Sequence, residues 1–289
     1  MKNRSVARLM YAHLVDMGGL PVRQPLPTQQ VQQIDPFLLL HHANINVPTD
    51  RDIRHAGVGP HPHRGFSPVT FIFKGGVHHR DSRGNDGVIY AGGAQWMNAG
   101  MGIIHSERPP IDIHERGGEQ EIIQLWINMP AERKMEQPQY FPVQAADAPS
   151  LNTGDEKVRG RIFSGSLLGT TGPINAYQDV AAATFECDTG GMIKFSVPTS
   201  HNTLMYLLDG KVRIEGFGQV EGLHIVHFKN DGDFISLEAQ APTRILFLSG
   251  LPLAEPVVSY GPFVMSTQTQ IMEAMRDYQM GKMGVLIED

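Results

Sequence analysis

This sequence predicts an all-β chain built from two similar barrel-like or sandwich domains, and three observations carry that expectation. Short apolar runs rich in Val, Ile, Phe and Leu recur between glycines along most of the chain. Glycine and proline, 31 and 20 of 289 residues, are spread rather than clustered, as tight turns between many strands require. A degenerate internal repeat also links the halves: Val69 to Phe73 followed by Lys74-Gly75-Gly76 resembles Leu204 to Leu208 followed by Asp209-Gly210, at an offset of 135 residues.

Taken in order, the first group of β-type runs is Phe37 to Leu40, Val69 to Phe73, Val88 to Tyr90 and Ile122 to Ile127. The texture then changes. Pro130 to Pro149 holds four prolines, several charges and little periodicity, so it reads as a linker, placing one domain at residues 1–135 and the other at 136–289. Strands resume at Arg161 to Phe163, Thr184-Phe185, Ile193 to Val197, Leu204 to Leu208, Lys211 to Ile214 and Arg244 to Leu248. One short helix is expected near the C-terminus, where Thr267 and Gln270 form a capping box, Ile271, Met272, Met275 and Tyr278 share a face, and Gly281 stops the helix.

Composition excludes several function classes. The 24 Lys and Arg against 30 Asp and Glu leave a net charge of −6, with no positive excess to condense on phosphates, so direct nucleic-acid binding is not expected. A single cysteine, Cys187, cannot form an internal disulfide and points to a reducing, cytoplasmic setting. The N-terminal stretch Val6 to Val15 is interrupted by Arg8 and His13 and makes no export signal, and no run is apolar enough for a membrane helix.

The thirteen histidines supply the chemistry. In a strand, residues i and i+2 share a face, so His61-Pro62-His63 and His105-Ser106-Glu107 can each aim two ligands into one interior. Chance alone yields about 0.6 of each tripeptide in such a chain, so the framing must carry the inference. Gly57 and Gly59 precede the first pair; Gly92-Gly93, Gly100 and Gly102 precede the second, permitting the turns that bring two strands together. Three imidazoles and one carboxylate suit a first-row divalent metal, Fe(II) above all, and leave about two octahedral positions open for substrate or O₂. Adjacent His78-His79 face opposite ways and are read as surface or supporting groups; of His41-His42, one could line the cavity. His224 and His227, three apart, do not share a strand face. Gln95 and Trp96 lie in the glycine-framed segment, Trp96 as core or as a pocket wall.

These residues resemble the pirin family of the cupin superfamily. The likeness is carried by Pro36 to Leu40, His61 to Phe66, Gln95 to Glu107, Gln124 to Asn128 and Glu255 to Met265, in the family's order over nearly the whole chain. It implies a monomer of two cupin-type jelly-roll barrels in tandem. The N-terminal barrel would hold iron through His61, His63, His105 and Glu107, and the C-terminal barrel would hold no metal. At the repeat offset, the four ligands fall on Ser196, Pro198, Gln240 and Pro242. One departure is Ser67-Pro68, where family members commonly place a Glu, so the pocket wall is expected to lose a carboxylate.

The resemblance implies a quercetin 2,3-dioxygenase-like enzyme that opens a small aromatic flavonol with O₂. Glu107, the acidic member of the set, would also take the 3-hydroxyl proton. Two other classes compete. An iron-dependent regulatory cofactor would bind a protein partner, and a metal-dependent isomerase or lyase is open because one fold hosts many reactions.

Overall fold

The computed structural model describes residues 2–50 and 52–288. Side-chain alternation decides which strands are wet on one face: in Met192–Ser196, Ile193 and Phe195 are buried while Met192, Lys194 and Ser196 are exposed. Phe66–Lys74 is instead buried at seven of its nine residues. It lies inside a sheet covered on both sides, which is why it reads as a continuous apolar run. Among the described residues no helix is long and apolar enough to cross a membrane.

The chain forms two compact units, both of the cupin type. One comprises residues 16–22, 37–145 and 253–289, the other 1–15, 23–36 and 146–252. The single cut after residue 135 is therefore replaced by an exchange of chain ends. Val6–Tyr11 pairs antiparallel with His224–Phe228 in the second unit, where the buried Arg4 guanidinium donates to the carbonyls of Pro198, His201 and Gly232. The C-terminal helix belongs to the first unit. Such pairings span more than two hundred residues and leave no local trace in the sequence.

In the first unit the strands of the large sheet run Gln139–Val143, Ala94–Asn98, Phe66–Lys74, Glu119–Asn128, Phe37–Asn46. A second sheet runs Val58–His63, Ile103–Arg108, Gly76–Asp81, Asp86–Tyr90. The expected linker is thus partly a strand: Gln139–Val143 pairs with Ala94–Asn98. Its Pro142 is tolerated because the strand is an edge.

The second unit repeats the order, with Met192–Ser196, Phe234–Ala239, Lys211–Ile214 and Gly218–Glu221 as its smaller sheet. Gly75 and Gly210 mark the same place in each unit, at φ of 70° and 75°. Register then gives the true equivalents of the site residues. Glu107 lies opposite His79 as Leu237 lies opposite Ile214, and His105 opposite His61 as Ile235 opposite Phe195. His61, His63, His105 and Glu107 therefore correspond to Phe195, Val197, Ile235 and Leu237, not to the residues a constant offset selects, because the intervening loops differ in length. All four belong to the second unit's buried apolar core and offer no donor atom.

The helix Gln268–Gln279 is capped as expected. Thr267 Oγ1 accepts from Gln270 N at 3.2 Å, and Gln270 Oε1 accepts from Thr267 N at 3.1 Å. Its buried stripe is Ile271 and Ala274, packed with Phe263, Met265 and Met283, while Met272 points to solvent at 62% exposure. A six-residue helix, Ile111–Arg116, was not expected; its cap residue Pro110 makes no side-chain hydrogen bond, so no capping signature marked it.

Candidate metal centre

His61 and His63 leave the same face of Val58–His63, and His105 meets them from the neighbouring strand Ile103–Arg108, directly opposite His61. The three rings bring their ligand nitrogens within 4.8 Å of one another. His61 Nε2 lies 3.0 Å from His63 Nε2 and 3.0 Å from His105 Nε2. His61 Nδ1 donates to the Gly59 carbonyl at 2.8 Å, so its Nε2 is a bare lone pair. One lone pair cannot serve two partners at this distance. A cation among the three nitrogens removes the conflict, which is the fit a metal requires.

Burial pushes His63 and His105 well below the ordinary histidine range. Repulsion from His61, and for His105 also from His63 and His79, acts in the same direction, while the Pro262 carbonyl opposes it at His63. Neutral imidazoles are the ligating form.

Glu107 is placed differently. Its carboxylate is not in the three-histidine group. Oε1 accepts from Thr70 Oγ1 at 2.7 Å and Gln95 Nε2 at 2.6 Å, and Oε2 accepts from Gln124 Nε2 at 2.6 Å. These bonds extend outward: Tyr140 donates to Gln95 Oε1 at 3.0 Å and Trp126 Nε1 to Gln124 Oε1 at 3.2 Å. Burial, with the nearby charges of Glu107 and Asp81, raises the Tyr140 hydroxyl above its usual range and keeps it a donor.

His61, His63 and Glu107 open on a cavity of about 560 Å³. The rest of its lining is largely apolar and includes Leu20, Val22, Ile45, Ile122 and Trp126, the last packed on Phe66 at a ring separation of 4.3 Å and edge-on to His63 at 5.4 Å. His41 lines it too, pushed down to about 4 by burial. His42 faces the other way, 3.2 Å from Glu121. His78 lies at the surface against Asp86, whereas His79 is buried beside His105.

Trp96 is core, fully buried and bonded to Asn98. Ser67 corrects an expectation: it is buried on the face opposite Thr70 and donates to Asn98 at 2.8 Å. It is no part of the cavity wall, so the serine costs the pocket nothing. Sequence reading missed Thr70, Asp81, Gln124, Trp126 and Tyr140. Gln124 and Trp126 had a signal, since they share a strand face with Ile122; Tyr140 was masked by the prolines around it.

Fold and site together define a two-domain cupin with, among the described residues, one three-histidine centre. The chain belongs to the pirin family: the Pirin profile matches residues 19–127 and that of the pirin C-terminal cupin domain residues 182–284. A pirin-like protein of Caulobacter vibrioides is 36% identical over 92% of this chain and 94% of its own. The crystal structure of a quercetin 2,3-dioxygenase from Acinetobacter baumannii superposes with a TM-score of 0.91 at 34% identity, covering 99% of this chain and 100% of that one. The bacterial pirin YhhW of Escherichia coli, in complex with nickel(II), shares the fold at a TM-score of 0.66 and 19% identity, over 85% of this chain and 98% of that one.

Proposed function

We propose that the protein is a metal-dependent dioxygenase of the quercetin 2,3-dioxygenase type, acting on a flat aromatic hydroxyl compound with O₂ at a mononuclear iron centre. The single observation that carries this reading is the mixed lining of the cavity. Leu20, Val22, Ile45, Ile122 and Trp126 line the same space of about 560 Å³ as His61, His63 and Glu107, with Trp126 edge-on to His63 at 5.4 Å, so a planar apolar substrate is held beside the centre with its oxygen-bearing edge toward it. The likeness to the Acinetobacter baumannii enzyme supports it.

His61, His63 and His105 would hold the ion, and Glu107, two residues from His105, would complete the set on release of one of its oxygens. When bound, iron(II) supplies Lewis-acid charge for a substrate oxygen and the redox chemistry of O₂. The chain does the rest. Trp126, Ile122 and Ile45 exclude water and fix the ring plane. Glu107, held by Thr70, Gln95 and Gln124, takes the substrate hydroxyl proton, and the donor chain from Trp126 through Gln124 ties that carboxylate to the wall on which the ring lies.

Oxygen uptake by the iron-loaded chain with quercetin, matched to loss of flavonol absorbance and abolished by stripping the metal, is the expected result. Full iron occupancy with no uptake would overturn the reading in favour of a metal-dependent protein-binding cofactor.

A further inference from the structure

His105 stands in the middle of the smaller sheet, between the strand of His61 and His63 on one side and Gly76–Asp81 on the other. One ring nitrogen, Nε2, faces His61. The other, Nδ1, lies 3.4 Å from Nδ1 of His79, the long end of hydrogen-bonding range. His79 is fully buried, its Nε2 is 2.9 Å from Asp81 Oδ2, and its ring lies flat on Tyr140 with centroids 4.0 Å apart and planes 7° from parallel. Asp81 is a saturated acceptor: Oδ1 also takes Arg83 N at 2.8 Å and Asn85 N at 3.1 Å, and Oδ2 takes Asn85 Nδ2 at 2.8 Å.

The hydrogens follow from this network. A carboxylate that already accepts from three other donors, Arg83 N, Asn85 N and Asn85 Nδ2, is held ionised and has no proton to give, so the hydrogen between Asp81 and His79 sits on His79 Nε2. A neutral imidazole carries one N–H, which leaves His79 Nδ1 as an acceptor. The hydrogen between the two Nδ1 atoms therefore belongs to His105, and His105 Nε2 is left bare toward the centre. Without His79 nothing in this network selects that tautomer.

We infer that His79, itself oriented by Asp81, is a positioning residue that fixes His105 in its metal-ligating tautomer and ring orientation. The inference rests on the metal reading above. It also separates two roles for His79, since the ring packs on Tyr140 and its nitrogen holds His105. A partner of this kind outside the ligands is worth about 10–100-fold in metal affinity.

Nickel(II) affinity of the full chain, titrated against a chromogenic chelator, tests it with three variants whose metal-free folding is followed by circular dichroism and thermal melting. His79→Asn sets its Oδ1 near the place of Nδ1 and keeps an acceptor for His105; its affinity stays within about threefold of the parent. His79→Gln carries its amide toward Asp81 and leaves His105 Nδ1 unpartnered; affinity falls about 10–100-fold. His79→Phe keeps the ring and the Tyr140 stack but no nitrogen, and falls like His79→Gln. Should His79→Phe bind as the parent while His79→Asn does not, His79 is only packing and the inference is overturned. Parent-like binding by His79→Gln overturns it as well. A parent chain that binds no nickel(II) or iron(II) removes the metal reading itself, an outcome separate from either.

Discussion

Arg108 and Glu288 form a two-pronged ion pair, Nη2 to Oε2 at 2.6 Å and Nε to Oε1 at 3.3 Å, with each side chain 11% exposed. Arg108 follows Glu107 directly, and its remaining guanidinium nitrogen donates to the Ala56 carbonyl at 2.8 Å, in the turn before the His61 strand. The other ligand strand is tied in the same way. Arg64, next to His63, pairs with Asp277 of the C-terminal helix at 3.1 Å and donates to the Met101 carbonyl at 2.6 Å. Each ligand strand thus leads into an arginine anchored in the C-terminal segment.

Glu288→Ala is expected to cost about 1–2 kcal/mol, because Arg108 keeps Ala56 and regains water on its open side. Arg108→Ala costs more, about 2–4 kcal/mol, since it strands both the Ala56 carbonyl and the Glu288 carboxylate. Amide hydrogen exchange checks the mechanism: protection should fall at residues 283–288 and around Ala56 while Leu125 and Phe71 stay protected. Unchanged exchange at Ala56 in Arg108→Ala would contradict it.

Gly75 makes the internal repeat a question of stability. A Cβ there would sit 2.6 Å from the Glu119 carbonyl oxygen, at a φ of 70° that L-residues rarely adopt. Gly75→Ala is therefore expected to destabilise by about 3 kcal/mol, from backbone strain and from overpacking against a neighbouring strand that cannot retreat. Gly84, at φ of 89° with nothing within 4 Å, isolates the strain alone. Its alanine variant should lose only about 1–2 kcal/mol. Urea midpoints of the two variants decide between them.

That same glycine explains what the sequence made legible. A turn that needs a positive φ and close backbone approach leaves a glycine at a fixed place after an apolar strand, so Gly75 and Gly210 exposed the duplication directly. His61, His63 and His105 were legible because a strand period of two puts ligands in tripeptides. Glu107 was found by the same period, but its hold by Thr70, Gln95 and Gln124 was not, because those partners come from three other strands of the larger sheet. Tyr140 lay hidden in a proline-rich edge strand, and His79 was set aside because adjacent histidines face opposite ways. The pairing of Val6–Tyr11 with His224–Phe228 is non-local and had no local signal at all.

Acid should weaken the metal-free fold in a particular window. Burial lowers His41 to about 4, and His63 and His105 move in the same direction. Below about pH 6.5 an unfolded histidine binds a proton that the folded ring refuses, so stability rises with pH across the window and is complete above it. The loss on acidification is about 1.4 kcal/mol per histidine per pH unit, and for His41 it stops growing near pH 4. Urea unfolding with chelator present at pH 7.5, 6.5 and 5.5 measures it. A flat profile from 7.5 to 5.5 would mean that these rings accept protons in the fold.

Glu107→Gln separates a base from a ligand. The amide keeps the shape and one acceptor oxygen for Thr70 and Gln95, but its NH₂ then meets the Gln124 Nε2 donor that Glu107 Oε2 accepts at 2.6 Å. Gln124 can relieve this by turning its own amide, at the expense of its bond from Trp126. A stability loss of about 1–3 kcal/mol is expected from that mismatch, with the fold retained. Metal should be held at least in part, since His61, His63 and His105 are untouched. Turnover is another matter, because an amide has almost no basicity and removing a general base costs about 10²–10⁴-fold. The loss of a ligand alone would scale with occupancy, so oxygen consumption per bound iron is the discriminating quantity. A rate per iron equal to that of the parent chain would remove Glu107 from proton transfer and leave it a ligand only. A fall of two or more orders of magnitude at equal occupancy makes the carboxylate held by Thr70, Gln95 and Gln124 the group that takes the substrate proton.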